Sequence, residues 1–236
     1  MTKTIVITGA AGGIGRALLP LLSDARLLLI DRAESGVAAL ARENGATAVE
    51  GTPLTAAECR DALDAVDGQI DAFVHLAGTF EPDPAMGFDQ DQPSNYQRTM
   101  QNNLENAYNF ASALEPRLPE DGSGRVVFIS SLAFRAGSFD HVAYSAAKGG
   151  LVGLTRALAR RFADRATVNA LAPGIIETTM PAHVIAQRGE AAKSRVIQQR
   201  FGQAEEVAHP IHFLLSSGAS YITGQTINVD GGTSLD

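Results

Sequence analysis

A tyrosine and a lysine one helical turn apart are the residues best suited to proton chemistry. Tyr144 and Lys148 lie four positions apart in a stretch of small and apolar residues, 143–162. On a helix, positions i and i+4 share a face and lie about 6 Å apart along the axis. The two side chains can therefore point into one site, although such a pair taken alone also describes two exposed surface residues.

The chemistry that fits this pair is proton exchange during hydride transfer. Moving a hydride between a carbinol carbon and a nicotinamide ring requires a proton to leave or reach the oxygen. A free tyrosine has a pKa of about 10, and lowering it by about three units needs roughly 4 kcal/mol. One ammonium about 4 Å away supplies roughly that amount at an effective dielectric near 20. Ser131, which follows a predicted strand, would hold the substrate oxygen in line.

A glycine-rich stretch joins the first β-branched run to the first helix-like segment. Residues 8–15 read TGAAGGIG, a G-x-x-x-G-x-G spacing. Glycine permits positive φ and a close approach to a pyrophosphate, and the helix N-terminus offers unpaired N–H groups to that anion. Glycines needed only for packing are the alternative. The candidate cofactor residues of this turn are Gly9, Gly12, Gly13, Ile14 and Gly15.

An acidic residue ends the second predicted strand. Asp31 would accept hydrogen bonds from both hydroxyls of an adenosine ribose and repel a 2′-phosphate, which favours NAD over NADP. Arg32 follows directly and is the residue that could partner a 2′-phosphate. Taken singly, Asp31 also fits the role of a helix cap.

Strand-like and helix-like segments alternate along the chain. Predicted strands cover residues 4–8, 26–31, 47–49, 72–76, 125–130, 167–171 and 226–229. Predicted helices cover residues 14–22, 34–43, 56–66, 99–118, 143–162 and 205–215. This alternation implies right-handed βαβ crossovers and a parallel sheet covered on both faces. We predict an α/β fold, a Rossmann-like doubly wound parallel sheet of about seven strands.

The chain shows no linker, repeat or shift in composition that would divide it. We therefore expect a single domain over residues 1–236 that combines dinucleotide binding and catalysis. The longest segment without clear structure, about residues 174–200, is expected to be a mobile substrate loop.

Composition and charge exclude several classes of protein. Of 236 residues, 45% are hydrophobic and 19% charged, which is enough apolar material for a sizeable core. The net charge of −7 argues against a nucleic-acid partner, and no apolar run approaches the roughly 18 residues of a membrane span. A single cysteine, Cys59, excludes an intrachain disulfide, and no histidine spacing predicts a metal site. We expect a cytoplasmic protein without metal, membrane or nucleic-acid partners.

These motifs together resemble the short-chain dehydrogenase/reductase family, and the resemblance covers nearly the whole chain. Residues 8–15 resemble its cofactor turn, and Ser131, Tyr144 and Lys148 resemble its active-site residues. The resemblance implies that Asn103 is a fourth catalytic residue, which supports a water-linked proton relay to the lysine. It further implies cofactor contacts at Ala77, Gly78, Tyr144, Lys148, Pro173, Gly174, Ile176 and Thr178.

Two short stretches depart from the family pattern. The family usually shows Asn-Asn-Ala-Gly after the fourth strand, where this chain has His75 and Leu76 before the alanine and glycine. We expect His75 to be structural rather than catalytic. The family also often has an Asp that hydrogen-bonds the adenine, where this chain has Thr52 and Pro53. Adenine binding is then expected to rely on apolar contact or a backbone group.

Together with the NAD preference indicated by Asp31, the resemblance implies an oxidoreductase that acts on a secondary alcohol or its ketone. An NADP-dependent 3-oxoacyl-(acyl-carrier-protein) reductase is the alternative within enzymes, and a non-catalytic dinucleotide sensor is the alternative outside them. A homotetramer or homodimer is implied, with helix approach eased by Gly149, Gly150 and Gly153, which equally suit the core of one subunit. Position alone suggests that the substrate pocket includes Phe80, Leu132, Phe134, Phe139, His141 and Met180.

Overall fold

A seven-stranded parallel sheet forms the centre of the protein. The computed structural model describes residues 2–81, 94–180 and 182–235, and within them the strand order is β3-β2-β1-β4-β5-β6-β7. The strands are β1 (Thr4–Thr8), β2 (Arg26–Asp31), β3 (Thr47–Glu50), β4 (Ala72–His75), β5 (Gly124–Ile129), β6 (Ala166–Pro173) and β7 (Thr226–Val229). The predicted doubly wound α/β fold is confirmed.

Helices cover both faces of this sheet. They are α1 (Gly13–Leu18), α2 (Val37–Glu43), α3 (Ala56–Leu63), α4 (Ser94–Met100), α5 (Asn106–Leu114), α6 (Ala133–Ala136), α7 (Val142–Arg161), α8 (Ala182–Lys193) and α9 (Ala204–Leu215). Among the described residues, no helix has both the length and the apolar character needed to cross a membrane.

The strands are buried on both faces, which explains their continuous apolar sequences. All five residues of β1 are buried. Because side chains alternate along a strand, Val6 joins the core beneath α3, α5 and α7, whereas Ile5 and Ile7 join the core beneath α1, α2 and α9. The two cores therefore hold the sheet rigidly from opposite sides.

The strand order reverses direction at β1. Its neighbours are β2 on one side and β4 on the other, so the crossovers that follow β1 and β4 run toward opposite edges of the sheet. In open α/β sheets this topological switch creates a crevice at the carboxyl ends of the strands, where ligands bind.

Two helical expectations are corrected by the structure. The helix predicted over residues 99–118 consists of α4, a π-helical turn at Gln101–Glu105, α5 and a 3₁₀ turn at Glu115–Arg117. The stretch 174–200, predicted to lack clear structure, contains α8. Its small and polar residues carry only a weak helical period, which explains the error; residue 181 of this stretch lies outside the described residues.

Candidate active site

A cleft of about 760 Å³ opens along the carboxyl ends of β1, β2 and β4. It begins at the glycine-rich turn, passes the end of β2 and is also lined by residues 178–180. Among the predicted cofactor residues it is lined by Gly9, Gly12, Gly13, Ile14, Gly15, Asp31, Arg32, Ala77, Gly78 and Thr178.

The glycine-rich turn lies too close to its neighbours to accommodate side chains. Gly9 has a φ of 68°, and a Cβ added there would lie 2.6 Å from the backbone nitrogen of Ala77. A Cβ on Gly13 would lie 2.6 Å from the Cγ2 of Thr178. The turn therefore presents bare backbone to the cleft at the start of α1, the arrangement that binds a pyrophosphate.

Asp31 connects the end of β2 to the glycine-rich turn. Its Oδ2 accepts a hydrogen bond from the Ala11 N–H at 2.8 Å, and its Oδ1 accepts one from the Arg32 N–H at 2.8 Å. The exposed Arg32 guanidinium pairs with the carboxylate of Glu34 at 3.1 Å. The Asp31 carboxylate thus lines the cleft at this point, while the neighbouring Arg32 guanidinium pairs with Glu34.

Helix α7 places Tyr144 and Lys148 together in a buried position. The Lys148 ammonium lies 5.5 Å from the centre of the Tyr144 ring and donates to the Ile129 carbonyl at 2.9 Å. The Tyr144 hydroxyl is hydrogen-bonded to Ser131, which stands just after β5. The structure therefore brings together three of the four predicted catalytic residues.

Burial shifts the pKa of both titratable members of this set. It raises the pKa of Tyr144 to about 12, against the opposing effect of the Ser131 hydrogen bond. It lowers the pKa of Lys148 to about 8. From the sequence, Lys148 is expected to lower the pKa of Tyr144. In the chain alone the pKa moves in the opposite direction, because removing the phenolate from water costs more than the Ser131 hydrogen bond returns.

Asn103 occupies the π-helical turn and completes the polar set. Its amide nitrogen donates to the carbonyls of Thr79 and Thr99, each at 3.0 Å. Its Oδ1 is buried and has no hydrogen-bond partner among the described residues. A Cβ on Gly78 would lie 2.5 Å from that oxygen and 3.4 Å from the Lys148 Nζ. The bare backbone of Gly78, which lines the cleft, thus lies next to Asn103 and Lys148.

Five predicted cofactor residues lie outside the lining of the described cleft: Tyr144 and Lys148 of the buried pair, and Pro173, Gly174 and Ile176. Pro173 ends β6, and Gly174 donates its N–H to the Val229 carbonyl at 3.0 Å. Ile176 pairs with Gly202 and lines a neighbouring cavity of about 330 Å³. The expected contact of Ile176 with the cofactor stays a prediction, since Ile176 lines the neighbouring cavity rather than the cleft.

The predicted substrate side is partly aromatic. The ring of Phe80 stacks on that of His141 at 4.0 Å between centroids and meets the Tyr144 ring edge-on at 4.9 Å. His141, a predicted pocket residue, is buried and paired with Asp140 at 2.9 Å. Phe139 and Met180 are exposed near this region.

His75 is a buried neighbour of the glycine-rich turn. Its Nδ1 is hydrogen-bonded to the hydroxyl of Thr8 at 2.8 Å, and its ring packs among those of Phe73, Phe110 and Phe128. Burial and the charge of Lys148 lower the pKa of His75 to about 3. A neutral imidazole at the end of β4 is a structural tie between two strands.

The doubly wound sheet, the glycine cradle and the buried tyrosine–lysine pair define an NAD(P)-dependent oxidoreductase. A family model described as enoyl-(acyl carrier protein) reductase matches residues 9–234. The chain belongs to the short-chain dehydrogenase/reductase family. Within the described residues, no group of histidine, cysteine and acidic side chains could hold a metal ion.

Relatives of known name cover almost the entire chain. A 3-oxoacyl-(acyl-carrier-protein) reductase FabG of Vibrio harveyi is 34% identical over 98% of this chain and 96% of its own. The short-chain dehydrogenase/reductase SDR:Glucose/ribitol dehydrogenase of Brucella melitensis has a TM-score of 0.90 at 33% identity, covering 99% and 97%. A putative NAD(P) dependent gluconate 5-dehydrogenase of Beutenbergia cavernae with bound NADP has a TM-score of 0.89 at 32% identity, covering 98% and 96%.

Proposed function

We propose that this protein transfers a hydride between a nicotinamide dinucleotide, preferentially NAD, and a secondary alcohol or its ketone. The observation that carries the proposal is the buried Tyr144 hydroxyl, hydrogen-bonded to Ser131 and backed by Lys148, beside a cleft with a glycine cradle. When bound, the nicotinamide supplies the site that accepts or donates the hydride. The residues of the chain supply position and protons.

Each polar residue has a distinct part in the proton transfer. Ser131 holds the substrate oxygen in line with the tyrosine. Tyr144 donates its proton to that oxygen during reduction; during oxidation it accepts the alcohol proton as a phenolate, after its own proton has left through the relay. Lys148, with a pKa lowered to about 8, exchanges protons near neutral pH and adds positive charge beside the phenol. Asn103, in the adjoining π-helical turn, supports the relay that carries the proton onward.

The carboxylate at the end of β2 supports a preference for NAD. Asp31 is fixed by two backbone N–H groups at the wall of the cleft, where a 2′-phosphate would meet its charge. Arg32 is the cation expected to offset that repulsion, and its guanidinium pairs with Glu34 instead.

Replacing the phenol tests the proposed mechanism. We expect Tyr144→Phe to reduce turnover by roughly two to four orders of magnitude, since it removes the proton donor and acceptor. Cofactor affinity should change little, because the ring and its packing remain. Steady-state rates on a panel of alcohols and ketones, with dissociation constants for NAD and NADP, make the comparison. Turnover close to that of the wild type would remove Tyr144 from the reaction.

A 3-oxoacyl-(acyl-carrier-protein) reductase is the second candidate, favoured by the named relatives at 30–34% identity. It predicts reduction of an acetoacetyl thioester with NADPH preferred over NADH. The first candidate predicts the reverse cofactor order. Tight NAD binding without turnover of any alcohol or ketone would instead support a non-catalytic sensor.

Domain organisation and assembly form part of the same proposal. We infer a single domain in which the stretch 174–200, with α8 at its centre, moves over the substrate. We also infer a homotetramer or homodimer in which α7 and the helices around the π-helical turn pack against another subunit.

A further inference from the structure

Among the described residues that line the cleft beyond Asp31, the segment 51–53 and Asn106 carry no acidic side chain that could recognise an adenine. The acid after β2 marks the place of the adenosine ribose, so the base extends past Asp31 toward residues 51–53, which line the cleft there. These residues are Gly51, Thr52 and Pro53. An adenine presents its exocyclic amine as a hydrogen-bond donor, and a selective site needs an acceptor for it.

The opposite wall of this end carries a buried asparagine. Asn106, the first residue of α5, lines the cleft and is 3% exposed. Its Nδ2 donates to the carbonyl of Pro53. Its Oδ1 is buried and has no hydrogen-bond partner among the described residues. A buried acceptor without a donor is costly, and native proteins retain few of them.

Neighbouring contacts fix which end of this amide is left over. A backbone carbonyl only accepts hydrogen bonds, so the Asn106 side chain must turn its nitrogen toward Pro53. The same loop is held by the Asn109 Nδ2, which donates to the Leu54 carbonyl at 2.6 Å. A flipped Asn106 amide would place its oxygen against the Pro53 carbonyl, so Oδ1 is the atom left for a ligand.

We propose that Asn106 is the residue that selects the adenine of the cofactor, with Oδ1 accepting a hydrogen bond from the exocyclic amine. The helix thus supplies the acceptor that the loop after β3 lacks. From the sequence we expect only apolar or backbone contacts with the adenine, because nothing in the local pattern indicates that Asn106 faces the cleft. This inference rests on the proposed binding of a nicotinamide adenine dinucleotide.

Binding of a base-modified cofactor tests the assignment. Nicotinamide hypoxanthine dinucleotide carries a carbonyl in place of the amine, which would oppose Oδ1. Calorimetric dissociation constants for NAD and this analogue should show about a tenfold preference of the wild type for NAD. Asn106→Leu should bring the two constants to within about twofold. Asn109→Leu, which loosens the same loop without altering the cleft lining, should weaken both and keep the preference.

The outcomes separate this inference from the proposed function. If the wild type binds NAD and the analogue equally, or if Asn106→Leu keeps the preference, the assignment to Asn106 is overturned while dinucleotide binding stands. A preference lost in Thr52→Val and kept in Asn106→Leu would overturn it in favour of the threonine hydroxyl. Binding of neither NAD nor NADP overturns both. Asn106→Ala, checked by circular dichroism and thermal unfolding, replaces the leucine variant if that one does not fold.

Discussion

Burial is the main cause of the pKa shifts of Tyr144, Lys148 and His75. It raises the pKa of Tyr144 to about 12 and lowers those of Lys148 and His75 to about 8 and about 3. Each shift favours the neutral form, as expected for groups removed from water. A cation introduced by a bound cofactor would act on a phenol that the protein itself has left neutral.

The buried histidine makes stability depend on pH. Between about pH 6.5 and pH 3 the unfolded chain binds a proton at His75 that the folded chain does not, so stability falls as the pH is lowered through this range. The slope approaches about 1.4 kcal/mol per pH unit. We expect His75→Asn to remove this contribution in denaturant unfolding measured between pH 7 and pH 4.5.

His209→Asn is the matched control, since His209 is exposed on α9. It should unfold with the pH slope of the wild type. An identical slope in both variants would show that His75 gains a proton without unfolding, contrary to this account.

At the scale of elements, the ends of β1 and β4 approach so closely that backbone packs on backbone. Thr8 and His75 tie the two strands through a hydrogen bond, and Gly9 then lies against Ala77. This approach forms the floor of the cleft. The π-helical turn also packs against this loop, because it places the buried Asn103 side chain against the backbone of Gly78.

The cost of this approach is measurable by comparing two glycines. Gly9 and Gly36 both have positive φ, 68° and 77°, but a Cβ on Gly36 would meet no atom within 4 Å in the described structure. Gly36→Ala should show only the backbone cost of about 1–2 kcal/mol. The free energy of unfolding of Gly9→Ala should be lower than that of Gly36→Ala by at least about 1 kcal/mol, because the added methyl group clashes with the backbone of Ala77.

Thermal and denaturant unfolding of the two variants supply the comparison, and calorimetry shows whether Gly9→Ala also loses dinucleotide binding. Equal destabilisation of both would mean that the β4 loop yields readily and that the strand ends are not closely held.

At the scale of the whole molecule, the outer face of α7 decides what the three glycines of this helix do. A Cβ on Gly150 would meet the side chain of Leu104 inside the chain. Those on Gly149 and Gly153 would meet nothing within 4 Å among the described residues. Packing within one subunit therefore explains Gly150, whereas Gly149 and Gly153 remain available for the proposed contact between subunits.

A single methyl group distinguishes the two roles of Gly153. In an isolated chain, Gly153→Ala would stabilise the helix by about 0.5–1 kcal/mol. In the proposed assembly the added methyl group separates the packed helices, so we expect dissociation at higher protein concentrations in sedimentation velocity. Gly189→Ala in α8, also without a neighbour within 4 Å in the described structure, is the control that should leave the mass unchanged. A more stable Gly153→Ala with unaltered mass would contradict the proposed interface.

The sequence alone determined the fold class, the family and the order of the elements. Continuous β-branched runs such as β1 can be predicted from the sequence, because a strand buried on both faces needs apolar residues along its whole length. The glycine-rich turn and the Tyr144–Lys148 pair can be predicted for a different reason: both depend on residues close together along the chain.

Only the tertiary structure decided what depends on distant segments meeting. The bond between His75 and Thr8 spans 67 positions, and that between Asn106 and Pro53 spans 53. The direction of the Tyr144 pKa was likewise hidden, since desolvation is set by everything packed around the phenol. Local sequence patterns indicate the secondary structure. The burial of a side chain and the polar atoms left without a hydrogen bond depend on which distant segments pack around it, so they are set only by the tertiary structure.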